Sequence, residues 1–325
     1  MRILVTGGAG FIGSAYVRRL LTGAEPDLAA DTVTVLDAWT YAATEGALEP
    51  VRTDPRLRLV RGDIRDPALV DATVAGHDVV VHFAAESHVD RSIAAAADFV
   101  TTNVVGTQTL LDAALRHGVR RFVQVSTDEV YGSIATGAWT EQAPLDPSSP
   151  YSASKAAGDL LALAYHRTHG LDVVVTRGAN TYGPYQYPEK IIPLFVTNLL
   201  DGHDVPLYGD GGNVRDWLHV DDHCHGVALA QTRGRAGGIY HLGGGAELTN
   251  RDLTGRLLAT CGAGWERVRP VADRKGHDRR YALDTTTTRR ELGWAPTVDL
   301  DAGLSATVAW YRDNRAWWTP LKPHR

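Results

Sequence analysis

The chain has 325 residues, 44% of them hydrophobic and 22% charged, with a formal net charge of −5. Nothing in that composition points to disorder, a collagen-like rod or a membrane span. The mild negative charge offers no basic stripe for nucleic acid. At this length a single core stops growing, so one large domain with a smaller lobe is expected. The opening MRILVTGG runs directly into an apolar strand and glycines, without the pattern of a secretory signal. Cys224 and Cys261 are the only cysteines, which fits a reducing compartment better than a disulfide framework. These features predict a soluble cytoplasmic protein without nucleic-acid or membrane partners.

In chain order, Ile3–Val5 form an apolar run, followed by TGGAGFIG and the helical pattern AYVRRLL. Strand, glycine turn and helix are the context of a dinucleotide site. Gly7, Gly10 and Gly13 permit a tight turn, close approach to a pyrophosphate and close helix packing; Phe11 and Ile12 lie between them. TVTVLD predicts a second strand ending in Asp37, an acid that accepts from ribose hydroxyls and repels a ribose phosphate. NAD is therefore expected over NADP. LRLVRGDI predicts a third strand running to Asp63 and Ile64, near the adenine. HDVVVHFAA predicts a fourth, ending in Ala84 and Ala85, small enough for the cofactor to lie against backbone. RRFVQVSTDE predicts a fifth, with Asp128 and Glu129 at its end. Strands alternating with helices make a parallel sheet whose strand ends form the active edge.

SSPYSASKAAGDLLALAYH begins with Ser148 or Ser149 as a cap and Pro150 in the first turn. Tyr151 and Lys155, four residues apart, share one helix face. A cationic lysine there is expected to lower the phenol pKa and make Tyr151 a base toward a sugar or alcohol hydroxyl. Only four of the 33 basic residues are lysines, so Lys155 and Lys190 stand out as compact, titratable cations. By themselves, adjacent acids on a loop or a lone YxxxK carry little. After the glycine turn and Asp37 they carry much more.

TGGAGFIGS, HFAAESHVDRSI, STDEVYGS, SPYSASKAAGD, NTYGPYQYPEKIIPL, PLYGDGGNVRDWLHVDDH and DRKGHDRRYALD together resemble the extended short-chain dehydrogenase/reductase superfamily. Within it they are similar to the dTDP-glucose 4,6-dehydratase family over almost the whole length. The resemblance implies an α/β fold, a Rossmann-type doubly wound parallel sheet with a smaller mixed α/β C-terminal substrate lobe. It also implies a lyase reaction with NAD. Tyr151, with Thr127, would deprotonate the 4-hydroxyl as hydride leaves carbon 4. Glu129 would remove the carbon-5 proton, and a protonated Asp128 would protonate the departing 6-hydroxyl. Hydride would then return to carbon 6. The related 4-epimerases carry small or hydroxyl residues in place of the two acids.

For the nucleotide sugar the resemblance implies contacts from Ser87, Thr127, Asn180, Glu189, Lys190, Tyr208, Arg215, Asn250, Arg274 and His277. Tyr208 would stack near the thymine, and Arg215 and Lys190 would meet the diphosphate. His219, Asp221, Asp222, His223 and His225 suggest a metal cluster, but they resemble the family's helix-entry segment, where Asp side chains cap and no metal is bound. Trp310, Trp317 and Trp318 read as packing of the final helix. Residues 1–177 plus a return segment, 213–242, would form the NAD-binding domain; 178–212 and 243–325 would form the sugar-nucleotide lobe. The family pairs as homodimers through helices that correspond here to Asn103–Leu115 and Lys155–Tyr165. Ala43, Thr44, Thr181 and Lys275 depart from the family's usual residues and bear on substrate choice. The alternatives are a UDP-sugar 4,6-dehydratase, a nucleotide-sugar 4-epimerase and, from another class, a non-catalytic NAD-sensing protein.

Overall fold

The computed structural model describes residues 1–322. In chain order its strands are β1 (Arg2–Thr6), β2 (Thr32–Asp37), β3 (Leu57–Arg61), β4 (Val79–His82), β5 (Arg121–Thr127) and β6 (Val173–Gly178). They are followed by β7 (Asn180–Tyr182), β8 (Val205–Tyr208), β9 (Val214–His219), β10 (Gly238–Leu242), β11 (Glu247–Thr249) and β12 (Val268–Val271). Seven of them form one sheet in the order β10-β6-β5-β4-β1-β2-β3, with every pairing parallel. Strands buried on both faces read as continuous apolar runs, and successive side chains enter opposite cores. Ile3 and Val5 pack into one core while Leu4 packs into the other. The strand order reverses between β1 and β4, the switch point at which such sheets bind ligands.

The remaining strands build the smaller lobe. β11, β9 and β7 form a three-stranded sheet, and β12 pairs with β8. A third core gathers Trp217, Tyr311 and Trp318 from β9 and the helices Leu300–Asp313 and Arg315–Trp318. Trp310 and Trp317 close over it, each against the ring of Tyr185, at 4.5 and 5.4 Å. β9 thus pairs in the small sheet, and the return to the large sheet is made by the helix Val220–Arg233 and β10.

The entry to that helix differs from expectation. The cap is the imidazole of His219, which accepts from the Asp221 backbone N–H at 3.3 Å. Asp222 instead accepts from Thr297 and Val298 and ties down the chain before the last helices. His223 meets Thr181 Oγ1, and His225 meets Glu25. The side chains of this histidine- and acid-rich segment therefore serve separate partners. No helix among the described residues is long and apolar enough to cross a membrane.

Candidate active site

The ten residues expected at the cofactor from Gly7 to Ala85, together with Tyr151 and Lys155, which also belong to the expected cofactor contacts, line one cavity of about 250 Å³ at the switch point. Gly7 takes φ +68°, and a Cβ there would stand 2.5 Å from the backbone nitrogen of Ala84. A Cβ on Gly13 would stand 2.2 Å from the Gly7 carbonyl. The helix Phe11–Thr22 starts at Gly10 with no side-chain cap, so its first N–H groups face the cavity free for an anion. Asp37 accepts from the N–H groups of Ala9 and Trp39 at 2.9 and 2.8 Å. Those bonds hold its carboxylate at the end of β2, where a ribose would lie. The bare helix end, the glycine cradle and the acid fit a dinucleotide without a ribose phosphate. Asp63 lies beyond the end of β3 and is paired with Arg65 at 2.6 Å.

β5 delivers the acids on a single 3₁₀ turn, Asp128–Tyr131. Thr127 caps it, accepting from the Glu129 N–H at 3.2 Å and donating to Asp128 at 3.1 Å. Asp128 is 2% exposed, and its Oδ2 has no partner. Burial first, then the neighbouring Glu129, pushes its pKa well above the usual carboxylate range. Burial also leaves Glu129 raised, against the opposing charges of Arg274, Arg215 and Lys190. Side by side, the two acids face different electrostatic surroundings.

Tyr151 stands in the first turn of the helix Pro150–His169, entered through a Ser149–Ser152 capping box. Its phenol is not lowered as expected. Burial raises it first, followed by the charges of Glu129 and Asp128. Lys155 is buried, donates to the Val125 carbonyl at 2.8 Å, and is itself lowered by burial. Loss of hydration and two nearby acids outweigh one cation.

A second cavity, of about 190 Å³, lies beside the first under the small lobe. Its walls include Glu129 and eight of the ten residues expected at the sugar nucleotide: Asn180, Glu189, Lys190, Tyr208, Arg215, Asn250, Arg274 and His277. The other two lie elsewhere. Ser87 lines the first cavity, and its carbonyl accepts from Lys190 at 2.8 Å. Thr127 is buried beneath the turn it caps. Arg215 donates to the carbonyls of Val214 and Asp278 and lies 4.3 Å over the Tyr281 ring. Its fork is thus partly engaged, while Arg274 Nε and Asn180 Oδ1 are buried without partners. Glu189 accepts from the Tyr41 hydroxyl at 2.9 Å, and His277 meets Asp273 at 2.6 Å.

Sequence reasoning missed His88, Gln186 and Trp217 in this wall, and Glu86 and His223 in the first cavity. Glu86 and His88 flank Ser87 in HFAAESHVD, which is the one signal that could have found them. Among the departures, Ala43 lines the first cavity, and the Thr44 N–H bonds the Ala9 carbonyl at 3.1 Å. Thr181 lines the second cavity and reaches His223 at 2.7 Å. Lys275 is exposed in a turn.

The family model described as GDP-mannose 4,6 dehydratase matches residues 4–307. A dTDP-glucose 4,6-dehydratase of Streptomyces antibioticus is 66% identical over 99% of this chain and 96% of its own. A solved dTDP-glucose 4,6-dehydratase from Streptomyces venezuelae with NAD bound superposes with a TM-score of 0.98 at 65% identity. That match covers 99% of this chain and 100% of the other. A Thermus thermophilus UDP-glucose 4-epimerase with NAD shares the fold at a TM-score of 0.88 and 32% identity, covering 97% and 100%. Fold alone therefore does not separate dehydration from epimerisation. Whole-length identity and the acid pair on the turn after β5 do, and the chain belongs to the dTDP-glucose 4,6-dehydratase family of the extended short-chain dehydrogenase/reductases.

Proposed function

We propose that this chain converts dTDP-glucose to dTDP-4-keto-6-deoxyglucose as an NAD-dependent lyase. The observation that carries the reading is the contrast between the two neighbouring acids. Asp128 is buried with Oδ2 unpartnered and is raised well above the usual carboxylate range against Arg215, whereas the rise in Glu129 is opposed by three cations, Arg274, Arg215 and Lys190. An acid and a base side by side must differ in protonation, and this environment separates them. An epimerase needs no proton on a leaving hydroxyl.

Gly7, Gly10, Gly13 and Asp37 would hold the dinucleotide, which when bound supplies a hydride acceptor for carbon 4 and a donor for carbon 6. Tyr151 takes the proton of the 4-hydroxyl, with Thr127 holding that hydroxyl. A neutral Asp128 removes one of the two negative charges that raise the phenol. Glu129 then takes the carbon-5 proton, which the 4-ketone has acidified. Asp128 gives its proton to the 6-hydroxyl and water departs; once hydride has reached carbon 6, carbon 5 takes up a proton exchanged with solvent. Lys190, Arg215 and Arg274 supply positive charge for the diphosphate, and Tyr208 offers a ring to the base.

The proposed division of labour is residues 1–177 and 213–242 for the dinucleotide and 178–212 and 243–322 for the sugar nucleotide. β9 is shared between them, because it pairs in the small sheet and leads into the return helix. A homodimer is supported by exposed apolar side chains on the two expected helices, Val105 at 46% and Leu160 at 54%. A cytoplasmic setting is supported by the two free thiols, Cys224 and Cys261.

The test is mass spectrometry of purified protein with dTDP-glucose, beside UDP-glucose, in deuterated buffer. Loss of one water with deuterium at carbon 5, from the dTDP sugar, is the expected result. Water lost only from the UDP sugar would move the substrate. An epimer, or no reaction, would reject dehydration.

A further inference from the structure

The turn that carries both acids ends in Tyr131, which is 1% exposed. Its phenol belongs to a buried polar chain. Arg177, on β6, donates to the phenol oxygen, and that oxygen meets Nε2 of His241, on β10, at 2.6 Å. Nδ1 of His241 meets the Asp284 carbonyl at 2.9 Å. Arg177 is held by Asp159 at 3.0 Å, with side-chain exposures of 2% and 0%. One assignment satisfies every bond: Arg177 donates to the phenol, the phenol donates to Nε2, and Nδ1–H donates to the carbonyl. Burial lowers His241 to about 3 and raises Tyr131 to about 12, so both stay neutral at ordinary pH.

A buried ion pair is weak support for stability, since apolar residues of similar volume often do as well. A hydrogen-bonded chain supplies direction instead. This one ties the turn Asp128–Tyr131 to β6, to β10 and to the helix of Tyr151 and Lys155, on which Asp159 lies one turn past Lys155. Trp139 completes the brace, stacking on the Tyr131 ring at 5.9 Å and donating to the Gly132 carbonyl at 3.2 Å. None of Asp159, Arg177, Tyr131 and His241 lines either cavity.

We infer that the chain Asp159–Arg177–Tyr131–His241 positions the elimination acids, aiming Glu129 at carbon 5 and Asp128 at the 6-hydroxyl. The inference rests on the dehydration proposed above and adds positioning residues that touch neither ligand. Tyr151 and Lys155 are anchored independently, by the helix cap and the Val125 carbonyl. Thr127 and both acids on the turn also act on the Tyr151 phenol, but with those anchors in place, loss of the Tyr131 bonds disturbs oxidation at carbon 4 less than it disturbs elimination. Asp159 also offsets the burial of Lys155, so variants at Tyr131 and His241 isolate the turn.

Single-turnover rapid-quench mass spectrometry with dTDP-glucose distinguishes the 4-keto sugar, lighter by two hydrogens, from the dehydrated product, lighter by one water. In Tyr131→Phe formation of the 4-keto sugar slows much less than water loss does. Water loss slows about ten- to a hundredfold, the range a misplaced group costs, and the 4-keto sugar accumulates. His241→Gln, which can both accept from the phenol and donate to the Asp284 carbonyl, loses less of the water-loss rate than His241→Leu. Equal slowing of both steps, or water loss at the wild-type rate, overturns the inference. If Tyr131→Phe does not fold, the two His241 variants are judged by the same criteria. Wild-type protein that loses no water fails the dehydration reading itself, before any variant is compared, and overturns the inference with it.

Discussion

At the scale of single residues, the properties that matter come from surroundings as much as from side-chain type. Asp128 and Glu129 are adjacent carboxylic acids, both raised by burial, yet the rise is opposed in Asp128 by Arg215 and the Thr127 hydroxyl and in Glu129 by the three cations Arg274, Arg215 and Lys190. Replacing Asp128 with Asn is expected to lower turnover about 10²–10⁴-fold, the usual contribution of a positioned proton donor; steady-state kinetics with dTDP-glucose measures it. The same substitution has a stability signature. A carboxyl whose folded pKa is raised stabilises the fold fully below the unfolded pKa of about 3.9, and that stability is lost as pH rises through the folded value. Asp128→Asn should therefore gain Tm relative to wild type as pH increases above about 4, and thermal melts across pH would show it. A difference that stays constant with pH would mean Asp128 is ionised in the folded protein. The expectation for Tyr151 failed at this scale: YxxxK places Lys155 on the right helix face but says nothing of the two acids and the burial that raise the phenol.

Elements place these residues through local rules that were legible in the chain. The glycine turn after β1, the capping box before the helix Pro150–His169, and the acids immediately past β5 all lie where their patterns put them. Gly7→Ala forces a Cβ at φ +68° to within 2.5 Å of the Ala84 backbone. It is expected to cost about 1–3 kcal/mol of stability and to weaken NAD binding, as read by thermal melts and NAD titration. The entry to the helix Val220–Arg233 was less legible. Its sequence offers two aspartates in the first turn, but His219 caps and Asp222 holds Thr297. Which side chain caps depends on rotamers set by a segment about seventy-five residues away.

The whole molecule decides what no window of sequence can. β9 was expected with the large sheet because it precedes a returning helix and strand, yet it pairs with β7 and β11 in the small one. At the same scale, Leu160→Glu places a charge at the most exposed of the large apolar side chains on the expected pairing helices. It should shift the protein from dimer to monomer in size-exclusion chromatography with light scattering, while leaving the Tm of the monomer near its original value. An unchanged elution would place the interface elsewhere. Local pattern alone sufficed for the dinucleotide turn and the parallel sheet, because strands, caps and glycine turns depend on neighbours in sequence, while the family resemblance singled out the acids. Tertiary structure alone decided the electrostatic surroundings of the two acids, the partners of Arg215 and the buried chain behind Tyr131. Each depends on groups brought together from distant strands, and burial and charge act through space rather than along the chain.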